Sequence, residues 1–271
     1  MKFYDYKGIS QIINELDLSG EMNVIDKIQA GLEHHETLSE ELIFESAMSS
    51  MELEVTLVDP KRAKELMPIT RDEIDLNLTK NEMEFVGYKE VIKIINESYE
   101  YIPVNPNYIR QLHKDIYEFS KPQMGGGYRS SCLFIGEINE EGVEEQLFES
   151  IAAHETKMTL DNVTQNAMDN LNRFENKLAF IAIFAFDLYM IQPFNFGNGH
   201  VMRFVVRLLM KKFGYDVFDY VSLESMIKED LKNFNKALKV SAMGYLENEN
   251  NYETFVNYFI NLVKKAYENI K

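Results

Sequence analysis

Ile191-Gln-Pro-Phe-Asn-Phe-Gly-Asn-Gly-His-Val-Met-Arg203 is the stretch that decides the fold. The apolar run Leu178 to Ile191 enters it, and Gln192-Pro193 stops that run. Gly197-Asn198-Gly199 makes a tight polar turn, and a second apolar run, Val201 to Phe213, leaves it. The pattern predicts helix, short loop, helix, with the loop opening onto the N-terminus of the second helix. Free backbone N–H groups and the helix dipole make such a terminus an anion cradle. Glycine lets the backbone approach a phosphate, and Arg203 adds a charged fork one turn along.

Composition sets the outer limits. The chain has 271 residues, 45% of them hydrophobic, enough for a sizeable core. Lys and Arg number 28 against 44 Asp and Glu, a net charge of −16. That charge repels phosphate backbones and anionic lipid, so neither nucleic acid nor membrane is an expected partner. The single Cys132 excludes an internal disulfide and a cysteine-based zinc site. The first residues carry no apolar signal-peptide core, and a cytoplasmic protein is expected. The run Leu178 to Ile191 contains Asp187 and is shorter than the roughly 20 residues a bilayer needs, so it reads as a buried central helix.

Away from the loop, helical periodicity dominates. Residues 1–100 read as an N-terminal helical region, 101–225 as the core and 226–271 as closing helices. Ser39 is placed to cap a helix running through Ala47 and Met51. Pro60 and Pro68 suggest a linker. Tyr108 to Phe119 puts Ile109, Leu112, Ile116 and Phe119 on one face, and His113 on it reads either as a functional residue or, more commonly for such a position, as a satisfied group on the helix surface. Gly125-Gly-Gly127 cannot stay in a helix, and Leu133-Phe-Ile135 before Gly136 suggests a strand. One β-hairpin at about residues 124–136 in an otherwise all-α protein is the expectation. The acids from Glu137 to Glu149 read as a solvated surface ahead of a helix.

These motifs resemble the Fic/Doc (Fido) family, whose signature is His-Pro-Phe-x-(Asp or Glu)-Gly-Asn-Gly-Arg-x-x-Arg. Pro193, Phe194, Gly197, Asn198, Gly199 and Arg203 match it. Gln192 stands at the catalytic His, Phe196 at the metal-binding acid, and His200 at the first Arg. Gly127, Tyr128, Arg129, Ile135 and Gly136 resemble the family's flap, which pairs with a target protein by strand addition; Tyr128, Arg129 and Ile135 are then the target-binding residues. Many relatives carry an inhibitory helix, (Ser or Thr)-x-x-x-Glu-(Gly or Asn), whose Glu pairs with the second Arg. Ser50 and Glu54, at the end of a segment covering about residues 39–54, have that spacing, although Val55 breaks the pattern. The alternative is an ordinary amphipathic helix with exposed acids.

The resemblance implies AMP transfer from ATP to a protein hydroxyl, catalysed mainly by positioning and charge stabilisation. Gln192 can orient a hydroxyl but cannot take its proton, and losing a general base costs around 10²–10⁴-fold. Phe196 cannot ligate magnesium, which leaves Asn195 the only polar neighbour and no metal expected. His200 reads either as a phosphate ligand or displaced base, or as a partly exposed helix-start residue. Three functions follow: a protein that binds ATP or another nucleotide through Asn195, Gly197, Asn198, Gly199 and Arg203 with weak or absent transfer; a transferase of altered chemistry; or a helical interaction module with an empty site. A target or regulatory protein is expected on the flap, and dimerisation is left open. An anion on the loop without nucleotide is expected to be a solution ion or a carboxylate from Glu54 or Glu52.

Overall fold

A computed structural model describes all residues except 1–3, 33–37, 75–76, 139–143, 248, 250 and 271. The helices are α1 (Tyr6–Ile13), α2 (Ser19–Gln29), α3 (Glu40–Leu53), α4 (Pro60–Leu66), α5 (Lys80–Ser98) and α6 (Pro106–Tyr117). Strands β1 (Phe134–Ile138) and β2 (Glu144–Glu149) follow. The chain then continues as α7 (Thr156–Asn170), α8 (Lys177–Ile191), α9 (Asn198–Lys212), α10 (Leu223–Glu229), α11 (Leu231–Ala242) and α12 (Glu253–Glu268). Among the described residues the expected all-α architecture with a single hairpin is what forms.

Helix α8 is apolar on every face, so it can only be central. It packs on α9 on one side and α12 on another. Its one buried charge, Asp187, is held by phenols from both ends of the chain. Tyr6 donates at 2.6 Å and Tyr252 at 2.9 Å, while Tyr245 lies 3.4 Å away and 2.8 Å from the Tyr4 hydroxyl. Burial and the Asp187 charge push the Tyr6 and Tyr245 phenols well above their ordinary range, so they remain protonated donors. A buried carboxylate is tolerated because it is hydrogen-bonded. One apolar cluster runs from Tyr4 to Tyr267 through this helix.

Local chemistry sets the helix starts. Ser39 caps α3, Thr79 with Glu82 closes a capping box on α5, Asn105 caps α6 ahead of Pro106, and Asn176 caps α8. The buried helix therefore starts at Lys177, after a separate 3₁₀ turn at Leu171–Arg173. Pro60 is no linker: it is the first residue of α4, where its missing N–H is harmless and Asp59 caps the turn.

The hairpin lies further along than expected. Its strands pair antiparallel from Phe134↔Glu149 to Ile138↔Glu144, with a register shift between Ile135 and Gly136. The glycines at 125–127 instead fold back against α6, where the Arg110 Nε donates to the Gly126 carbonyl at 2.8 Å. Glu137, Glu144, Glu145 and Glu149 are strand residues, not a lead into a helix, while Glu140 and Glu141 lie outside the described residues. Among the described residues no helix is long and apolar enough to cross a membrane.

Helix α3 ends in a Schellman turn. Thr56 N–H bonds the Met51 carbonyl at 2.8 Å and Val55 N–H the Glu52 carbonyl at 3.0 Å. This puts Val55 at φ +55°, a left-handed conformation that a β-branched residue adopts only under strain. Its side chain is 83% exposed and offsets none of that cost by packing. Val55→Gly is expected to stabilise the protein by about 1 kcal/mol in urea unfolding. An unchanged or lower midpoint would count against strain at this position.

Candidate functional site

The loop is assembled by the ends of α8 and α9. Gln192 closes α8 in the left-handed region, φ 45° and ψ 65°, with its N–H on the Leu188 carbonyl at 3.2 Å. Its side-chain Nε2 donates to the Tyr189 carbonyl at 2.9 Å. The amide thus caps its own helix and is not presented to a hydroxyl. Asn198 brackets Phe194, accepting from its N–H at 2.9 Å and donating to its carbonyl at 2.8 Å. Its side chain is therefore occupied in shaping the loop and only its backbone faces a ligand. Asn195 is half-buried. Gly197 has φ +66°, and a Cβ there would collide with the Tyr117 hydroxyl.

Arg203, one turn into α9, is 3% exposed and points at this loop. Its Nε and Nη2 donate to the Ser50 hydroxyl at 3.1 and 2.9 Å, and Nη2 pairs with Glu54 Oε1 at 3.1 Å. The Glu54 carboxylate lies so close to Gly199 that any Cβ at that position would overlap it. The anion on the loop is thus a carboxylate of the chain itself, brought by α3. Glu52, the other candidate, pairs with Lys228 at the surface at 3.1 Å.

His200 is fully buried, contrary to the partly exposed position expected of a helix start. Helix α3 covers it. Because the Ser50 oxygen accepts from Arg203, its proton goes to His200 Nδ1, 2.8 Å away. The imidazole proton then sits on Nε2, which has no hydrogen-bond partner among the described residues. Burial first, then the positive charge of Arg203, holds this imidazole well below its ordinary range, so it is neutral. One turn further along both helices the arrangement repeats: Arg207 reaches the Ser46 hydroxyl at 3.4 Å and the Phe218 carbonyl at 2.8 Å, and Ser46 bonds Ser222 at 3.0 Å. Helix α3 is tied to α9 by two Ser–Arg rungs.

The flap joins this loop at its root. Arg129, expected to face a target, is turned inward and is 3% exposed. Its guanidinium donates to the carbonyls of Gln192 at 2.6 Å, Ser131 at 2.7 Å and Ile191 at 3.3 Å, and also to that of Ile151. The unpaired carbonyls at the C-terminus of α8 draw it in, and it has no face left for a partner. Tyr128 and Ile135 are half-buried; the Arg110 guanidinium lies 5.0 Å from the Tyr128 ring centre.

Two further residues belong to the site that local sequence patterns do not reveal. His113 is buried, not on the helix surface. Its Nδ1 accepts the Gly126 N–H at 2.9 Å and its Nε2 donates to the Phe196 carbonyl at 3.0 Å, so it links flap root to loop. It also stacks on Phe194 at 4.0 Å. Burial lowers its pKa from 6.5 to about 4. Between those values the unfolded chain binds a proton that the folded one refuses. The stability is therefore complete above about pH 6.5 and falls as pH drops, by roughly 2–3 kcal/mol at pH 4.5. Urea melts across this range should show the loss, and His113→Gln should remove this share of it while the share due to the buried His200 remains. The second residue is Lys121, whose Nζ lies 4.6 Å from the Phe196 ring centre and 4.8 Å from that of Tyr117, and which pairs with the Glu84 carboxylate.

A magnesium ion needs oxygen ligands. Phe196 offers none, and its ring is covered by an ammonium. Among the described residues no group of three or more His, Cys, Asp or Glu is placed to hold a metal. The residues present do not fit one.

This geometry has known counterparts. Residues 103–210 match the Fic/DOC family. Over those residues the chain is similar to a Fic domain. Its fold also matches a Fic domain-containing signaling protein from Bacteroides thetaiotaomicron, at TM-score 0.68 and 17% identity over 92% of this chain and 94% of that one. A Fic family protein from Desulfovibrio desulfuricans matches at TM-score 0.64 and 15% identity, covering 96% of this chain and 70% of the other. Fic-1 from C. elegans matches at TM-score 0.65 and 15% identity, covering 97% and 73%. At these identities the likeness is one of fold. No curated protein matches the chain by sequence. Within the matched residues the chain departs from the Fic signature at Gln192, Phe196 and His200.

Proposed function

We propose that this Fic-fold protein binds a nucleotide or a related phosphate compound on the loop Gly197–Arg203, without efficient AMP transfer, and that Glu54 closes the site. The observation that carries this reading is the Glu54 carboxylate seated against Gly199 and on Arg203: the loop holds an anion, and that anion is its own. A carboxylate in that position competes directly with a phosphate. Transfer lacks its base, since Gln192 spends its amide on the Tyr189 carbonyl, and His200 is neutral but buried with its basic Nδ1 engaged by Ser50. A two-stranded hairpin suits a protein partner joining by strand addition, with Tyr128 and Ile135 near its root.

Labelled ATP and cell lysate should give no labelled protein with the wild type. Gln192→His alone should not restore transfer, because Phe196 still contributes no ligand to a metal. In calorimetry Glu54→Ala should bind ATP at least roughly tenfold more tightly than wild type, the gain expected when one charged hydrogen-bonding competitor is removed. Strong labelling by the wild type would refute the inactive reading, and an unresponsive Glu54→Ala would refute the phosphate site.

A further inference from the structure

Position 196 and residue Lys121 answer each other. Where the signature calls for an acid, this chain has an aromatic ring, and an ammonium rests over that ring at 4.6 Å. Tyr117 supplies a second ring under the same ammonium, at 4.8 Å. Lys121 is fixed from behind by Glu84, which is 2% exposed, yet its own side chain stays 32% exposed and keeps an open side. An ammonium has three donors, so the contact with Glu84 leaves two for another acceptor. Tyr117 also carries the hydroxyl packed against Gly197, so the ring holding the ammonium touches the phosphate loop. Lys121 is near enough to act on the site: after burial, Arg203 and His113, its charge is the last of the causes that lower His200.

We infer that Lys121 takes the place of the metal ion, neutralising the ligand's phosphate together with Arg203, so that nucleotide binding by this chain needs no divalent cation. A carboxylate at 196 would hold a metal and pair with the lysine; a phenyl ring does neither and instead holds the ammonium through its face. With Glu54 displaced, the loop offers Arg203 and Lys121 against the single charge of Glu84, a net positive site within an acidic protein.

The inference rests on the phosphate-site reading, and one calorimetric series separates the two. ATP is titrated into the full-length Glu54→Ala protein, first in EDTA and then in magnesium. Binding is expected in both, with affinities within about twofold of each other. In the same background Lys121→Met with Glu84→Gln, which leaves no buried carboxylate alone, should weaken ATP binding roughly tenfold, and Lys121→Arg should retain most of it. Binding that requires magnesium, or equal affinity after removal of the lysine, would overturn the role of Lys121 and leave the phosphate site standing. No ATP binding under either condition would overturn both.

Discussion

Arg203→Ala is expected to lower the free energy of unfolding by about 3–4 kcal/mol. The side chain is 3% exposed and serves three partners at once: Ser50, Glu54 and, at 3.2 Å, His200 Nδ1. Its removal leaves the buried Ser50 hydroxyl without its donor and the Glu54 carboxylate without its counter-charge. The estimate sits at the low end for a broken buried pair because the Glu54 side chain is 22% exposed and can turn to water. Arg203→Lys should lie between, since it restores the charge but not the fork. A double-mutant cycle with Glu54→Ala should show coupling of about 1–3 kcal/mol. Urea unfolding with a change below about 1 kcal/mol for Arg203→Ala would mean that the network is held by packing alone.

Arg129→Met should cost about 3–4 kcal/mol, by a different route. The guanidinium is the shared donor for four carbonyls, two at the end of α8, one in the flap root and one past β2. Methionine fills much of the volume and supplies no donor. Each orphaned carbonyl costs about 1 kcal/mol, and the favourable charge at the C-terminus of α8 is lost as well. Hydrogen exchange offers a local readout: amides of 191–199 and of the hairpin root should exchange faster, while those of α12 follow only the global change. Wild-type stability in Arg129→Met would show that water can replace these bonds.

Much of the fold was legible because its punctuation is local. The loop from Gln192 to Arg203 is bounded by Pro193 and two glycines between apolar runs, and Ser39 announces α3 within three residues of its cap partner. Ser50 and Glu54 were readable as a pair from spacing and resemblance. What escaped depends on contacts between residues far apart in the chain. Nothing near Arg129 tells that two of its acceptors lie 62 and 63 residues away, nor that Lys121 meets a ring at 196. His113 and His200 looked like surface residues because helical periodicity sees only the face of their own helix, not the loop or helix laid over it. The hairpin lies later than the expected 124–136 because the glycine triplet is not part of it; those glycines pack against α6 instead.

The two rungs from α9 to Ser50 and Ser46 carry a consequence for kinetics. A helix bolted into the interior at both turns cannot lift away without breaking up the core beneath it, a process of milliseconds or longer. Only the carboxylate at its very end is free to swing, and a side-chain rotation at a partly exposed position takes picoseconds to nanoseconds. Access to Arg203 is therefore set by a fast equilibrium at one residue. A ligand arriving by diffusion meets a site that has already opened and shut many times, so its association rate should scale with the fraction of time Glu54 spends turned away rather than with any slow opening step.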